Sequence, residues 1–166
     1  MKTHAAIGLF IALSITGGMI LLTKETVAQS DLLQIFKERR QLMFDTQSAL
    51  WPMFEIKNEE STNLKEAADS AQDMIEAMSK FMALFPVGTA KGEIPYTRAT
   101  PEIWSDAEGF KAAAEVLKAE AASAKKVADA DDIEAFKARF DVLLEACTGC
   151  HDLKPSGGGK YRFPLE

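Results

Sequence analysis

Apolar side chains recur at helical spacing in four separate stretches of this chain, and this periodicity limits its fold more than any other feature. The stretches span residues 31–54, 61–84, 105–128 and 131–147. Within each, an apolar side chain returns every three or four positions, which places these side chains on one face of a helix. The stripes comprise Leu32, Phe36, Met43, Leu50 and Phe54; Leu64, Ala67, Ala71, Met74, Met78 and Phe81; Phe110, Ala114, Leu117, Ala121 and Ala128; and Ile133, Phe136, Phe140, Leu144 and Cys147. A helix that is apolar on one face must bury that face, so the pattern predicts four helices around one core.

The signals that begin, end and connect these helices predict the topology. Ser61 or Thr62 is the expected cap of the second helix, whereas Ser105 and Asp131, each followed three residues later by a glutamate, predict the starts of the third and fourth. Pro52 is expected to kink or end the first helix. Short links join the first helix to the second and the third to the fourth, which favours antiparallel neighbours. We therefore predict an all-α fold, an antiparallel up-and-down four-helix bundle.

The N-terminus has the composition of an export signal. Lys2 supplies the positive start, residues 5–22 form an uncharged apolar run, and residues 26–28 (TVA) end in the small-residue pattern of a cleavage site. This pattern predicts a signal peptide over residues 1–28, a periplasmic domain over residues 29–166, and contact with a membrane only if the segment is retained as an anchor.

The charge balance argues against one class of partner. Removal of residues 1–28 takes away two basic side chains and one acidic side chain, which moves the net charge from −6 to −7. A nucleic-acid-binding domain would carry a basic patch, so nucleic acid is not an expected partner.

Both cysteines and the only histidine of the predicted mature domain lie within residues 147–151. Cys147, Cys150 and His151 form the pattern C-x-x-C-H, which is the attachment motif of c-type haem. Two thiols at this spacing can add to the two vinyl groups of one porphyrin, and the adjacent imidazole can bind its iron. A zinc site would need a fourth ligand, a thioredoxin-like dithiol would need a preceding strand, and a disulfide at this spacing would be strained. One covalent haem c is therefore predicted, with Cys147 and His151 on one face of the last helix.

Four segments, spread over nearly all of the predicted mature chain, carry a resemblance to a known protein family. They are RRQLM in the first helix, FPVGTAKGEIPYTRATPEIWSD in the long link, FKAAAEVLK in the third helix and CTGCHD in the fourth. Together they resemble the class II cytochromes c, the four-helix-bundle group that contains cytochrome c′ and its low-spin relatives. The resemblance implies that His151 is the proximal iron ligand and that Cys147 and Cys150 are the thioether anchors.

The resemblance also implies a residue pair opposite the iron. The family places R-x-x-x-(M/L/F) on the first helix, and two registers fit: Arg39 with Met43, or Arg40 with Phe44. We prefer Met43, because it lies on the apolar stripe of the first helix and Phe44 does not. Met43 is thus the candidate distal residue, either bound to iron or packed over it.

The remaining candidate haem contacts come from segments outside the C-x-x-C-H motif. Arg39 and Arg162 are candidates for the haem propionates, and Trp104 and Phe85 are candidates for the pocket. Relatives continue the last helix past the histidine to an aromatic residue and an arginine. Here, a proline and three glycines intervene before Tyr161 and Arg162, so we expect the proline to stop the helix and the tail to fold back or fray.

These expectations define two functions. The main prediction is a one-electron carrier with a low-spin His/Met haem, for which the redox partner is unknown. The alternative is a five-coordinate cytochrome c′ that binds a small gas such as nitric oxide. A peroxidase is disfavoured because the predicted mature chain has no distal histidine. A homodimer through the first two helices, common among relatives, stays an open expectation.

Overall fold

The computed structural model describes residues 16–154 and 156–165, with side chains from residue 30 onward, and every element in that part of the chain is helical apart from isolated bridges. Its helices are α1 (Thr16–Ser48), α2 (Trp51–Lys57), α3 (Leu64–Met82), α4 (Glu102–Ser105), α5 (Ala107–Asp129) and α6 (Ile133–Cys147). The first 15 residues of the predicted signal peptide lie outside the described residues. No helix within the described ranges is long and apolar enough to span a membrane.

The chain divides into two units, Met1–Asp31 and Leu32–Glu166, and the second contains the bundle. Its four legs are α1 from Leu32 followed by α2, then α3, α5 and α6. α5 packs against both α3 and α6, and α2 contacts α3 and α6. The prediction of an antiparallel up-and-down four-helix bundle is confirmed.

The first leg is interrupted close to Pro52, where the sequence predicts a kink or an end of the helix. α1 ends at Ser48 and α2 begins at Trp51, with Pro52 in the first turn of α2. The first-turn amide groups of a helix have no partner within that helix, so proline costs little there. The leg ends at Lys57, three residues beyond the predicted end at Phe54.

The helix caps differ from the predicted ones by one or two positions. Asn63, Asp106 and Asp132 accept hydrogen bonds from the amide groups of Glu66, Gly109 and Ala135, respectively. The predicted caps at Ser61 or Thr62, Ser105 and Asp131 are therefore wrong. Asparagine and aspartate are at least as good as serine at this position, and Ser105 instead ends the short helix α4.

The main core fills the centre of the bundle and contacts all four legs. Its largest fully buried side chains are Phe136, Phe140, Met53, Ile56, Met74 and Leu143. The rings of Phe136 and Phe140 stack with centroids 6.3 Å apart. Alanines from α3 and α5 line the extensive contact between these two helices and allow their backbones to approach closely.

Candidate haem attachment site

The C-x-x-C-H motif lies at the very end of the last helix. α6 ends at Cys147, and Thr148 and Gly149 donate their amide groups to Glu145 and Ala146 in a tightened final turn. The prediction that Cys147 and His151 share one helix face is wrong, because His151 lies beyond the helix. Glycine within the motif weakens helix propagation, so the helix stops well before Pro155, which lies outside the described residues.

The two thiols contact different apolar clusters. Cys147 packs against the main core, and Cys150 packs against a second cluster. The buried residues of that second cluster are Ala99, Ile103, Phe110 and Tyr161. Phe81 and Met82 pack against both clusters, so the motif lies where the clusters meet. Both thiols are free, and burial raises the pKa of each to about 11, with the neighbouring Cys147 thiol contributing at Cys150.

The imidazole of His151 has two neighbours that require opposite tautomers. Its Nδ1 lies 2.8 Å from the carbonyl oxygen of Asp152 and 3.2 Å from Nη1 of Arg162. A carbonyl only accepts a hydrogen bond and a guanidinium only donates one. If Nδ1–H donates to Asp152, then Nε2 keeps its lone pair for a metal. Burial lowers the pKa of His151, which favours a neutral, ligating imidazole.

The two predicted pocket aromatics pack against the second cluster, as Cys150 does. The ring of Phe85 packs edge-on against Phe81 and Phe110, with centroids 4.9 and 5.0 Å away. Trp104 donates its Nε1 hydrogen to the carbonyl of Phe85 over 3.0 Å. Tyr161 extends the cluster, with its ring centroid 5.0 Å from that of Phe110. The structure thus brings both aromatics to the cluster that Cys150 also contacts, and their contact with haem stays a prediction.

Arg39 lies buried between α1 and the long link that follows α3. Its guanidinium donates to the carbonyl oxygens of Leu84 (2.5 Å) and Thr89 (3.2 Å) and to the Thr89 hydroxyl, and it lies 3.9 Å from the ring centroid of Phe85. Burial lowers the pKa of Arg39 to about 10. No carboxylate pairs with Arg39 among the described residues, so this buried cation has no anionic side-chain partner in that part of the chain.

The two candidate distal residues have opposite environments. Met43 is half-buried and packs against the main core, whereas Phe44 is 62% exposed. This placement agrees with the preference for the register of Arg39 and Met43. Which side chain faces the iron stays a prediction.

The residues present fit a covalently attached haem. The motif offers two free thiols and an imidazole whose Nε2 can bind a metal when Nδ1–H donates to Asp152, and these are the donors that c-type attachment uses. The buried guanidinium of Arg39 supplies a counter-charge of the kind that a propionate would satisfy. Within the described ranges, no group of three or more His, Cys, Asp or Glu side chains is placed to hold a metal ion, which is the kind of cluster that zinc requires.

Similarity to known proteins extends along most of the chain. The Cytochrome C′ family model matches residues 34–153. Cytochrome c′ of Rhodospirillum rubrum is 30% identical over 138 residues, covering 82% of this chain and 92% of that protein. Cytochrome c′ of Rubrivivax gelatinosus is 38% identical over 80 residues, covering 48% of this chain and 60% of that protein. A nitric oxide complex of a cytochrome c prime variant from Alcaligenes xylosoxidans has a TM-score of 0.66 at 22% identity, covering 80% of this chain and 96% of that one.

A four-helix bundle with a C-x-x-C-H motif at the end of its last helix defines a class II c-type cytochrome. The chain belongs to the cytochrome c′ family. The resemblance stated from the sequence is confirmed, and so is the cofactor: the protein binds one covalent haem c. The roles of the individual residues toward that haem stay predictions.

The tail folds back, which is one of its two expected outcomes, but its individual contacts were not predicted from the sequence. Asp106 holds both the ammonium group of Lys160 and the hydroxyl of Tyr161, the latter at 2.8 Å. Arg98 donates to the carbonyl oxygens of Gly157 and Phe163, each over 2.7 Å. The only signal for this packing is the glycine triplet at residues 157–159, since glycine permits close approach of two backbones.

Asp106 is expected to make the protein acid-sensitive. Hydrogen bonds from Lys160 and Tyr161 hold the pKa of Asp106 below its ordinary value of 3.8. A depressed folded-state pKa stabilises the native state above the unfolded-state value, and this stability is lost as the pH falls through the folded-state pKa. In urea titrations, the stability difference between wild type and Asp106→Asn should therefore shrink below about pH 4. A difference that stays constant from pH 6 to pH 3 contradicts this linkage.

Proposed function

We propose that this chain is an exported, periplasmic cytochrome c′ that keeps one axial position of its haem iron open for a small gas such as nitric oxide. The observation that carries the proposal is the family match over residues 34–153, which includes both the C-x-x-C-H motif and the segment of Arg39 and Met43. Two variants of cytochrome c prime from Alcaligenes xylosoxidans are described as a nitric oxide complex and as a carbon monoxide-bound form. The relatives support the gas-binding alternative better than the electron carrier that the sequence favoured.

The chain's own residues supply attachment, orientation and an apolar setting. When bound, the haem supplies an iron that can take a gaseous ligand. Cys147 and Cys150 would hold the porphyrin covalently, and His151 would bind the iron through Nε2 while its Nδ1–H donates to Asp152. The aromatic side chains of the second cluster, against which Cys150 packs, would exclude water from that part of the site, and Arg39 would neutralise a propionate.

The half-buried position of Met43 supports a second candidate function, that of an electron carrier. A thioether that packs against the same core as Cys147 could bind the iron, as in a low-spin electron carrier. The two functions differ in one measurable property, because methionine ligation gives a low-spin iron that excludes gases until the thioether leaves.

The visible absorption spectrum of the haem-loaded protein tests the proposal. We expect a high-spin ferric spectrum and a ferrous form that binds carbon monoxide and nitric oxide stoichiometrically. A low-spin spectrum in both oxidation states that is unaffected by either gas would overturn gas binding and favour the electron carrier.

Truncation of Met43 is expected to change access to the iron. In Met43→Ala, the loss of an apolar side chain from the core-facing side of α1 should raise the affinity for carbon monoxide about tenfold, or 1.4 kcal/mol. The matched control is Phe44→Ala, which truncates the exposed neighbour and should bind carbon monoxide like the wild type. If Phe44→Ala raises the affinity and Met43→Ala does not, the register is shifted by one. A conversion from low spin to high spin in Met43→Ala would instead support methionine ligation.

A further inference from the structure

We propose that residues 156–165 form a positioning strap that fixes the orientation of the His151 imidazole. The proposal rests on the proposed function in one respect, namely that His151 binds the haem iron. The resemblance to the class II cytochromes c implies a last helix that continues beyond the histidine. In this chain, the helix ends at Cys147, so other backbone groups must hold the residues that follow.

The strap is anchored first to the long link. Arg98 donates from Nε to the carbonyl of Phe163 (2.7 Å) and from Nη2 to those of Gly157 (2.7 Å) and Ser156 (3.4 Å). The amide of Phe163 donates in return to the carbonyl of Arg98 over 2.8 Å. One side chain therefore holds both ends of the strap against the link.

A second anchor ties the middle of the strap to the link and to the start of α5. The hydroxyl of Thr100 donates to the carbonyl of Lys160 over 2.7 Å. Asp106 accepts from the Lys160 ammonium group and from the Tyr161 hydroxyl. The ring of Tyr161 is 5% exposed and packs on Phe110. A buried aromatic with a satisfied hydroxyl is a stable anchor.

From these anchors, hydrogen bonds lead directly to the imidazole. The carbonyl of Gly158 accepts from the amide of Asp152 over 2.8 Å, and the amide of Tyr161 donates to the carbonyl of Cys150 over 3.2 Å. The carbonyl of Asp152 is the group that lies 2.8 Å from Nδ1 of His151. The strap thus holds the backbone of Asp152, whose carbonyl oxygen favours the Nδ1–H tautomer of His151 and one rotation of the ring about the Cβ–Cγ bond. Arg162, which is also part of the strap, contacts the same Nδ1 over 3.2 Å.

The glycines of the strap permit this contact. A Cβ atom on Gly159 would lie 2.6 Å from the Cα of His151 and 2.7 Å from the carbonyl oxygen of Cys150. A Cβ atom on Gly157 would lie 2.5 Å from the Cβ of Asp152. Since the atoms near Gly159 belong to the backbone, a side chain there must displace either the strap or the motif.

The decisive variant is Gly159→Ala, measured as haem-loaded protein. We expect the iron–histidine stretching band of the ferrous form, recorded by resonance Raman spectroscopy, to shift and broaden as the imidazole loses its fixed orientation. The matched control is Leu165→Ala, which truncates an exposed side chain of the same strap and should leave the band unchanged. Urea unfolding of both variants separates this effect from general destabilisation.

A second variant keeps the proposal testable if Gly159→Ala does not fold. Arg98→Ala removes an anchor that does not touch the motif, and it should shift the same band in the same direction. A wild-type band in either folded variant, even with lowered stability, overturns the positioning role. Wild-type protein without covalent haem or without an iron–histidine band would overturn the proposed function instead.

Discussion

Replacing Cys147 and Cys150 together with alanine is expected to abolish covalent haem attachment completely. Thioether bonds to these two sulfurs are the only covalent links that the motif offers, and no other cysteine exists in the chain. The mass of the purified protein should fall to that of its polypeptide, and acid–acetone extraction should remove all haem colour. Either single substitution should leave at most one thioether bond and a lower haem yield.

The control for this experiment lies between the two thiols. Thr148 is exposed and caps α6 through its backbone amide and its hydroxyl, but it carries no thiol, so Thr148→Ala should retain covalent haem at the wild-type level. Haem that stays covalently bound in the double cysteine variant would contradict attachment at this motif.

The parts of the fold that follow from local periodicity could be predicted from the sequence. The four helical stripes predict the four legs, and Pro52 predicts the break in the first leg. Periodicity could not distinguish Leu143 from Leu144, because three-residue and four-residue spacings from Phe140 both return to the same face. Leu143 is the fully buried residue of the two.

The chemistry of the candidate site could be predicted because three ligands lie together in the sequence. Its surroundings could not, because they come from distant segments: Arg39 meets Thr89, and Asp106 meets Tyr161. Such contacts leave no periodic signal in the chain. The caps were also missed locally, because serine, threonine, asparagine and aspartate compete for the same role over neighbouring positions.

The interaction of Arg39 with the long link is expected to contribute strongly to stability. Arg39→Met keeps much of the apolar stem but removes the donors to the carbonyl oxygens of Leu84 and Thr89. Two partly buried carbonyls would then lack a partner, at about 1–3 kcal/mol each, and the contact with the Phe85 ring would be lost. Because methionine is neutral, the variant no longer has to bury the charge of the guanidinium, and this offsets part of the cost. We expect the free energy of unfolding to fall by about 2–3 kcal/mol in urea titrations of the haem-loaded protein.

The neighbouring residue provides the matched control. Arg40 is exposed, so Arg40→Met should change the free energy of unfolding by no more than about 0.5 kcal/mol. If Arg39 also neutralises a propionate, Arg39→Met should additionally raise the ionic-strength dependence of the reduction potential, because salt ions would replace the lost counter-charge. Equal unfolding energies for the two variants would show that Arg39 does not hold the link to α1, and the link would then depend on the apolar contacts of Phe85 and Trp104 alone.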